Sequence, residues 1–310
     1  MSCKRIIQIA NSANLGASSG VGTYIFNLPI GLRYARLDLV YVDGGGAPID
    51  ISRDATTDFG AATGLLADVE LLANSRSMRL HAACELDHLN TLNGTIYGRG
   101  AQKTGAGATL RQTLPIYFRE PWRKDLAQAD SGAFNADPSW GVNSFQLKLT
   151  LGAAIPATGS FLILAYVDGV LANPNSGNKQ TVKRVFRYDL PAGGTASDFT
   201  TINPGNIETV CLINPTGAYV QKVTVKLNGT LFRDAVLQGD NIAGMVGEGM
   251  NPCTSQTAAH FGYDIVFDYD DPFSSTLPAV TPGSFWMHLD FSAAASGATR
   301  ALVETFGAID

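Results

Sequence analysis

The sequence predicts a mostly β protein built from two related β-domains in tandem, and three observations carry that expectation. Apolar and polar residues alternate with a period of two through much of the chain. Thirty-three glycines and 14 prolines separate short alternating runs, as turns between strands do. A strand followed by an asparagine turn in the first half returns in the second.

In chain order, Leu37, Leu39 and Tyr41 face one way while Arg36 and Asp38 face the other. Asp43 to Gly64 and Gly98 to Ala108 read as long loops, the first opening on Gly44-Gly45-Gly46. Helical spacing of Met78, Ala82, Leu86 and Leu89 predicts a helix over Ser77 to Leu92, ended by Asn93-Gly94. Shorter helices are expected at Trp122 to Gln128, behind Pro121, and at Leu231 to Leu237. Phe145, Leu147, Leu149 and Leu151 alternate with Gln146, Lys148 and Thr150, and Val223, Val225 and Leu227 alternate with Lys222, Thr224 and Lys226. Phe261, Tyr263, Ile265, Phe267 and Tyr269 oppose Asp264, Asp268 and Asp270; Phe285, Met287, Leu289 and Phe291 oppose Trp286, His288 and Asp290. One apolar and one polar face per strand means antiparallel sheets buried on one side. The run Phe161 to Val167 differs, being apolar on both faces. It is either a strand at a contact between domains or subunits, or a central strand covered by its own loops. On the first reading Phe161, Leu162, Leu164 and Tyr166 are the interface candidates.

The repeat pairs Val69 to Asn74, followed by Met78-Arg79, with Val223 to Asn228, followed by Phe232-Arg233. It also pairs Gly159-Ser160-Phe161 with Gly283-Ser284-Phe285 as strand starts. A rival register matches Leu28-Pro29-Ile30-Gly31 with Asn214-Pro215-Thr216-Gly217. Either register divides the chain between about 170 and 200. The expected organisation is an N-terminal arm over 1–20, a first barrel over 21–170, a linker and crossing segment over 171–200, and a second barrel over 201–310. Two such domains of about eight strands each have the dimensions of eight-stranded jelly rolls.

Charged residues make up only 16% of the chain, against roughly a quarter in ordinary soluble domains. The surface is therefore covered largely by Ser, Thr, Asn, Gly and Ala, or hidden by partners. The net charge of -5 and the short basic groups Lys183, Arg184, Arg187 and Arg119, Arg123, Lys124 argue against specific nucleic-acid binding. These groups read as solvated faces or salt bridges. The stretch Ile6-Ile7-Gln8-Ile9-Ala10 behind Lys4-Arg5 is too short and interrupted for a secretory segment. The scattered Cys3, Cys84, Cys211 and Cys253 are accordingly expected as thiols.

Motifs of chemistry are weak. Glu85-x-x-His88, with His81 nearby, has the spacing of a di-iron carboxylate site, but no bundle of further carboxylates accompanies it. Asp264, Asp268, Asp270 and Asp271 crowd one strand and its turn, where an oxygen-only ligand set would favour a structural calcium ion; a plain polar strand face is the competing reading. Gly244 to Gly249 lacks the Gly-Lys-Ser/Thr of a phosphate loop. No nucleophile motif is present, so no catalytic residue is assigned and no enzymatic activity is expected. Asn93-Gly94-Thr95 and Asn228-Gly229-Thr230 read as turns.

Five segments taken together resemble the double jelly-roll major capsid proteins of tailless, membrane-containing icosahedral bacteriophages, the lineage shared with adenovirus hexon. They are Leu28 to Gly31 with Tyr34 and Leu37-Asp38-Leu39; Val69-Glu70-Leu71 with the helix to Leu92; Arg184 to Tyr188 with Gly193-Gly194-Thr195; Val223 to Asp234; and Phe285 to Phe291. The resemblance implies a homotrimer of pseudo-hexagonal outline that tiles an icosahedral shell in the virion, assembled in the host cytoplasm. It also implies other virion proteins, such as a vertex protein, as partners, and an internal lipid membrane beneath the shell. Two other readings share the periodicity. One is a carbohydrate- or receptor-binding tandem β-sandwich, to be sought at Trp122, Trp140 and Trp286; the other is a β-sandwich glycoside hydrolase.

Overall fold

The computed structural model describes residues 5–11, 22–43, 66–94, 110–123, 129–130, 132–152, 159–173, 180–191, 193–200, 205–252, 256, 260–267, 277–279 and 284–308. The chain forms two compact units, Met1–Asn90 with Thr95–Val182 and Ala308–Asp310, and Thr91–Gly94 with Lys183–Gly307.

The first unit contains β1 (Arg5–Asn11), β2 (Thr23–Asn27), β3 (Leu32–Asp43), β4 (Leu66–Ala73), β5 (Arg76–His81), α1 (Ala83–Leu92), β6 (Leu110–Tyr117), the short β7 (Phe134–Ala136), β8 (Phe145–Leu151) and β9 (Gly159–Gly169). One sheet runs β1-β9-β3-β6, with β7 added to β3, and β2, β8, β4 and β5 are neighbours in the other. The second unit contains β10 (Thr181–Pro191), β11 (Gly194–Thr200), β12 (Gly205–Ile213), β13 (Val220–Leu227), β14 (Thr230–Leu237), α2 (Gln238–Gly247), β15 (Phe261–Val266), the short β16 (Leu277–Ala279), β17 (Phe285–Ala295) and β18 (Ala298–Ala308). Its sheets run β15-β12-β18-β10 and β11-β17-β13-β14. With the short strands set aside, each unit has the same order, 1-8-3-6 facing 2-7-4-5. That order is the eight-stranded jelly roll, and the fold is the double jelly roll that the resemblance of the five segments implies.

The repeated asparagine turn has a physical basis. Asn74 and Ser75 have φ of 53° and 64°, and Asn228 and Gly229 have 50° and 79°. Each pair forms the two-residue loop between strands joined at Ala73↔Arg76 and Leu227↔Thr230. Positive φ at both loop positions matches the twist of a hairpin, and asparagine and glycine tolerate it best. Such a turn requires a returning strand. Arg76–His81 and Thr230–Leu237 are therefore strands, where the sequence predicts helix, and α1 and α2 follow each of them. Helical spacing at Met78 and Ala82 is overridden by pairing of β5 with β4. At Trp122 to Gln128, Pro121 and Trp122 form a turn, and 124–128 lie outside the described residues.

Other expectations shift in the same way. Residues 5–11, expected in an arm, pair with β9 as the first strand of the first jelly roll. Thr181–Pro191 and Gly194–Thr200, expected as linker and crossing segment, are the first two strands of the second. The two Gly-Ser-Phe starts are not equivalent. Phe161 belongs to the eighth main strand of its unit, whereas Phe285 opens the seventh, and β18 closes the second barrel after it.

Each unit has its own core. In the first, Phe145 lies 5.1 Å from the Tyr34 ring, 4.6 Å from Phe134 and 6.1 Å from Phe118. In the second, Phe285 meets Phe199 at 6.1 Å and Phe267 at 6.2 Å, above Met287, Leu289, Val223 and Val225. Tilted and edge-on rings at these separations add to the stabilisation from burial itself.

Candidate functional site

The doubly apolar strand β9 runs between β1 and β3. Phe161, Ile163, Ala165 and Val167 are at most 1% exposed and belong to the barrel core. Phe161, an interface candidate by sequence, is thus a core residue, its ring 5.5 Å from that of Tyr41. Leu162, Leu164 and Tyr166 point to the other side and are half-buried. The period of two separates the faces, which an all-apolar run conceals.

The outer side is organised in cross-strand rows. Tyr166 pairs with Ile6 on β1 and Arg36 on β3, and Arg36 pairs with Tyr117 on β6. The Arg36 guanidinium lies 3.8 Å from the Tyr166 ring centroid and 5.7 Å from that of Tyr117, and Trp122 packs edge-on against Tyr117 at 5.7 Å. Such cation–π contacts strengthen as water is excluded. In the next row Gln8, Leu164, Asp38 and Pro115 are neighbours. Arg36 Nε stands 2.8 Å from Asp38 Oδ1.

Burial pushes the Asp38 carboxyl above its ordinary range, outweighing the opposing pull of Arg36 and the hydrogen bond with Tyr166. A raised folded-state value means that the native protein holds this proton more tightly than the unfolded chain. Its contribution is present at acid pH and is lost as pH rises through the folded value. Asp38→Asn should therefore remove a component of stability that falls with rising pH. Chemical denaturation from mildly acidic to neutral pH checks it: the stability of the parent relative to Asp38→Asn should fall as pH rises, and a constant or opposite difference would refute the assignment.

The candidate ligands do not assemble as the sequence suggests. His81 is on β5, while Glu85 and His88 are on α1, so the three do not share one helical face. Glu85 Oε2 accepts a hydrogen bond from the Ala82 backbone N–H at 2.7 Å, which caps the helix start. Asp264 is 1% exposed, in a strand buried throughout its length, and the Asn241 side-chain amide donates to its backbone carbonyl at 2.5 Å. Its expected polar face is therefore no solvated face. Asp268, Asp270 and Asp271 lie outside the described residues. Gly244 to Gly249 is the last turn of α2 and its exit. Cys84 and Cys211 are thiols; Cys3 and Cys253 lie outside the described residues.

The basic groups meet carboxylates. Arg119 pairs with Asp130 at 2.6 Å and Arg123 with Glu120 at 2.8 Å. Lys183, 4% exposed, stands 2.7 Å from Glu208 and 3.9 Å from Glu304. A lysine held this way offers no phosphate-binding charge. The three tryptophans are on separate features: Trp122 against Tyr117, Trp140 donating to the Leu171 carbonyl at 2.8 Å, and Trp286 stacked on His288 under Lys226.

What sequence reasoning missed is the outer surface of β14 and α2. Leu231, Phe232, Leu237 and Val246 are 44–57% exposed within a single hairpin arm and helix. The signal is Leu231-Phe232 close behind an Asn-Gly turn, a pair that reads equally well as a helix face.

Two jelly rolls of the same strand order in one chain define a double jelly-roll protein. Solved structures share this fold over the whole chain. The major capsid protein P2 from bacteriophage PM2 is 17% identical, with 99% of this chain and 98% of that one covered and a TM-score of 0.67. The PBCV-1 virus capsid protein is 12% identical, with 99% and 94% covered and a TM-score of 0.60. The MCP of STIV is 12% identical, with 98% and 96% covered and a TM-score of 0.61. At these identities the likeness is one of fold. No protein-family model matches the sequence, and no curated protein matches it.

Proposed function

We propose that this chain is a major capsid protein, which acts by self-association and not by catalysis. Its copies form a homotrimer of pseudo-hexagonal outline, and the trimers tile the icosahedral shell of a virion. The observation that carries this reading is the identical strand order of the two jelly rolls. Each chain offers two near-equivalent barrels, so three chains supply six, and a three-fold particle can occupy a six-fold lattice position. The full-length match in fold to capsid proteins of three viruses supports the same reading. Low charge content agrees with a surface consumed by neighbouring copies. A vertex protein and an internal lipid membrane are the further partners of such a shell. No helix of the described residues is long and apolar enough to cross a membrane.

Sedimentation of the purified chain at micromolar concentration, with negative-stain microscopy, tests the reading. The expected result is a trimer with a hexagonal outline that forms shells or sheets as concentration rises. A stable monomer or dimer that never forms a lattice would overturn it. Turnover of a glycan would favour the hydrolase reading instead.

A further inference from the structure

The repeat in the sequence pairs Arg79 with Arg233, each on the strand behind an asparagine turn. Both arginines make the same contacts. Arg79 of β5 donates from Nη1 to the Tyr117 carbonyl at 2.7 Å, and its guanidinium lies 4.9 Å from the Phe118 ring centroid. Arg233 of β14 donates to the Val266 carbonyl at 3.4 Å, and its guanidinium lies 5.8 Å from the Phe267 ring centroid. In each unit the arginine therefore bonds the last residue of the sixth main strand and meets the ring of the residue after it. That ring packs on the phenylalanine that opens the seventh main strand, Phe118 on Phe145 at 6.1 Å and Phe267 on Phe285 at 6.2 Å.

The helix adds a second bond two residues back on the same strand. Asn90 of α1 donates to the Pro115 carbonyl at 2.9 Å, and Asn241 of α2 donates to the Asp264 carbonyl at 2.5 Å. In the second unit Gln238 extends the row to the Gly262 carbonyl, and Arg233 also donates to the Asn241 side-chain oxygen at 2.7 Å. Asn90, Asn241 and Gln238 are all buried. The carbonyls that accept, 115 and 117 in one unit and 262, 264 and 266 in the other, belong to alternate residues and so point to one side of their strand. β6 and β15 each end a sheet, β6 beside β3 and β15 beside β12. Pro115 agrees with an outward direction, because proline in a sheet is confined to positions whose N–H would face away from the neighbouring strand.

We propose that this arginine and the helix asparagine form an edge clamp, built once in each jelly roll, that closes the end strand to strand addition. A bare row of carbonyls on a sheet edge is a template for another chain. Here side-chain donors take the positions that the N–H groups of an added strand would occupy, and they hold the helix against the edge. A buried carbonyl left without a donor is costly, so the clamp and the helix stay together. Copies of the chain then associate through side-chain surfaces and not by joining sheets at β6 or β15. The clamp acts on each unit by itself, whatever the chain assembles into.

The test separates edge protection from stability. Arg79→Met and Arg233→Met remove the donor and keep an apolar stem. Asn90→Ala and Asn241→Ala are the milder versions, used where an arginine variant does not fold. Val225→Ala, in the core of the second unit, leaves every edge donor in place and is the control. All are compared at matched stability, set by temperature from denaturant titrations. The clamp variants should precipitate at about a tenth of the concentration that Val225→Ala tolerates, as aggregates that bind thioflavin T, because an open edge adds strands. Clamp variants as soluble as Val225→Ala at matched stability would overturn the proposal, as would aggregates that bind no thioflavin T. Neither result bears on the capsid reading, which stands or falls on the stoichiometry of the parent chain.

Discussion

Replacing Ile163 with aspartate should unfold the first jelly roll, while the same change at its neighbour Leu162 should leave it folded. Ile163 is fully buried between the two sheets, opposite Leu39 on β3. Removing a buried aliphatic side chain costs about 2–5 kcal/mol through lost transfer energy and the space left behind. The introduced carboxylate costs several kcal/mol more, because no partner on that face would satisfy it. The sum rivals the roughly 5–15 kcal/mol that holds a typical domain folded. Leu162 lies on the outer, half-buried side opposite Val40, so a charge there keeps access to water at its edge. Leu164 is better tested as Leu164→Asn, because Asp38 stands opposite it and a second carboxylate would add repulsion. Circular dichroism and denaturant titration of the three variants check this. A folded Ile163→Asp protein, or an equally unfolded Leu162→Asp protein, would contradict the assignment of the two faces.

The second large effect is expected at Lys183. Its ammonium lies between Glu208 on β12 and Glu304 on β18, with all three side chains 4–6% exposed, and 5.5 Å from the Phe306 ring. Removing the shared cation from two buried carboxylates is the costly half of such an arrangement. Lys183→Met should cost about 3–5 kcal/mol, which corresponds to a fall in Tm of about 10 °C or more in a unit of this size. Replacing the group as a whole is different, since the desolvation of all three charges is then removed. The triple variant Lys183→Met, Glu208→Leu, Glu304→Leu should recover most of the loss. Differential scanning calorimetry of the single and triple variants decides the matter. If the triple variant is no more stable than Lys183→Met, the cluster contributes through geometry that apolar side chains cannot replace.

Much of the fold was legible because alternation is a local property. Phe145 to Leu151 and Phe285 to Phe291 bury every second residue, as their spacing requires. The Asn-Gly turn at 228–229 was legible for the same reason, since positive φ at two successive residues is a demand on residue type. The strand behind that turn was not. Leu231-Phe232-Arg233 reads equally well as a helix face, and only pairing with β13 makes it a strand. Likewise Ser77 to His81 has acceptable helical spacing until β4 is present to bind it. Ala298–Ala308 carries no alternation, because it is buried on both faces for much of its length.

The candidate surface was legible only in part. The sequence marked β9 as apolar on both faces, yet nothing local distinguishes a side chain between the sheets from one on the outside; Phe161 and Leu162 differ only by where β3 and β1 run. The aspartate pattern at 264–271 suggested a solvated face, but Asp264 is covered. By itself, then, the sequence determined the class of fold, the presence of two β-domains and the positions of the asparagine turns, because these follow from residue type and periods of a few residues. The tertiary structure alone decided which strand begins each barrel, which face of β9 is core, and where Lys183 finds its carboxylates. Those are outcomes of pairing between segments tens of residues or more apart, whose free energy no short stretch of sequence contains.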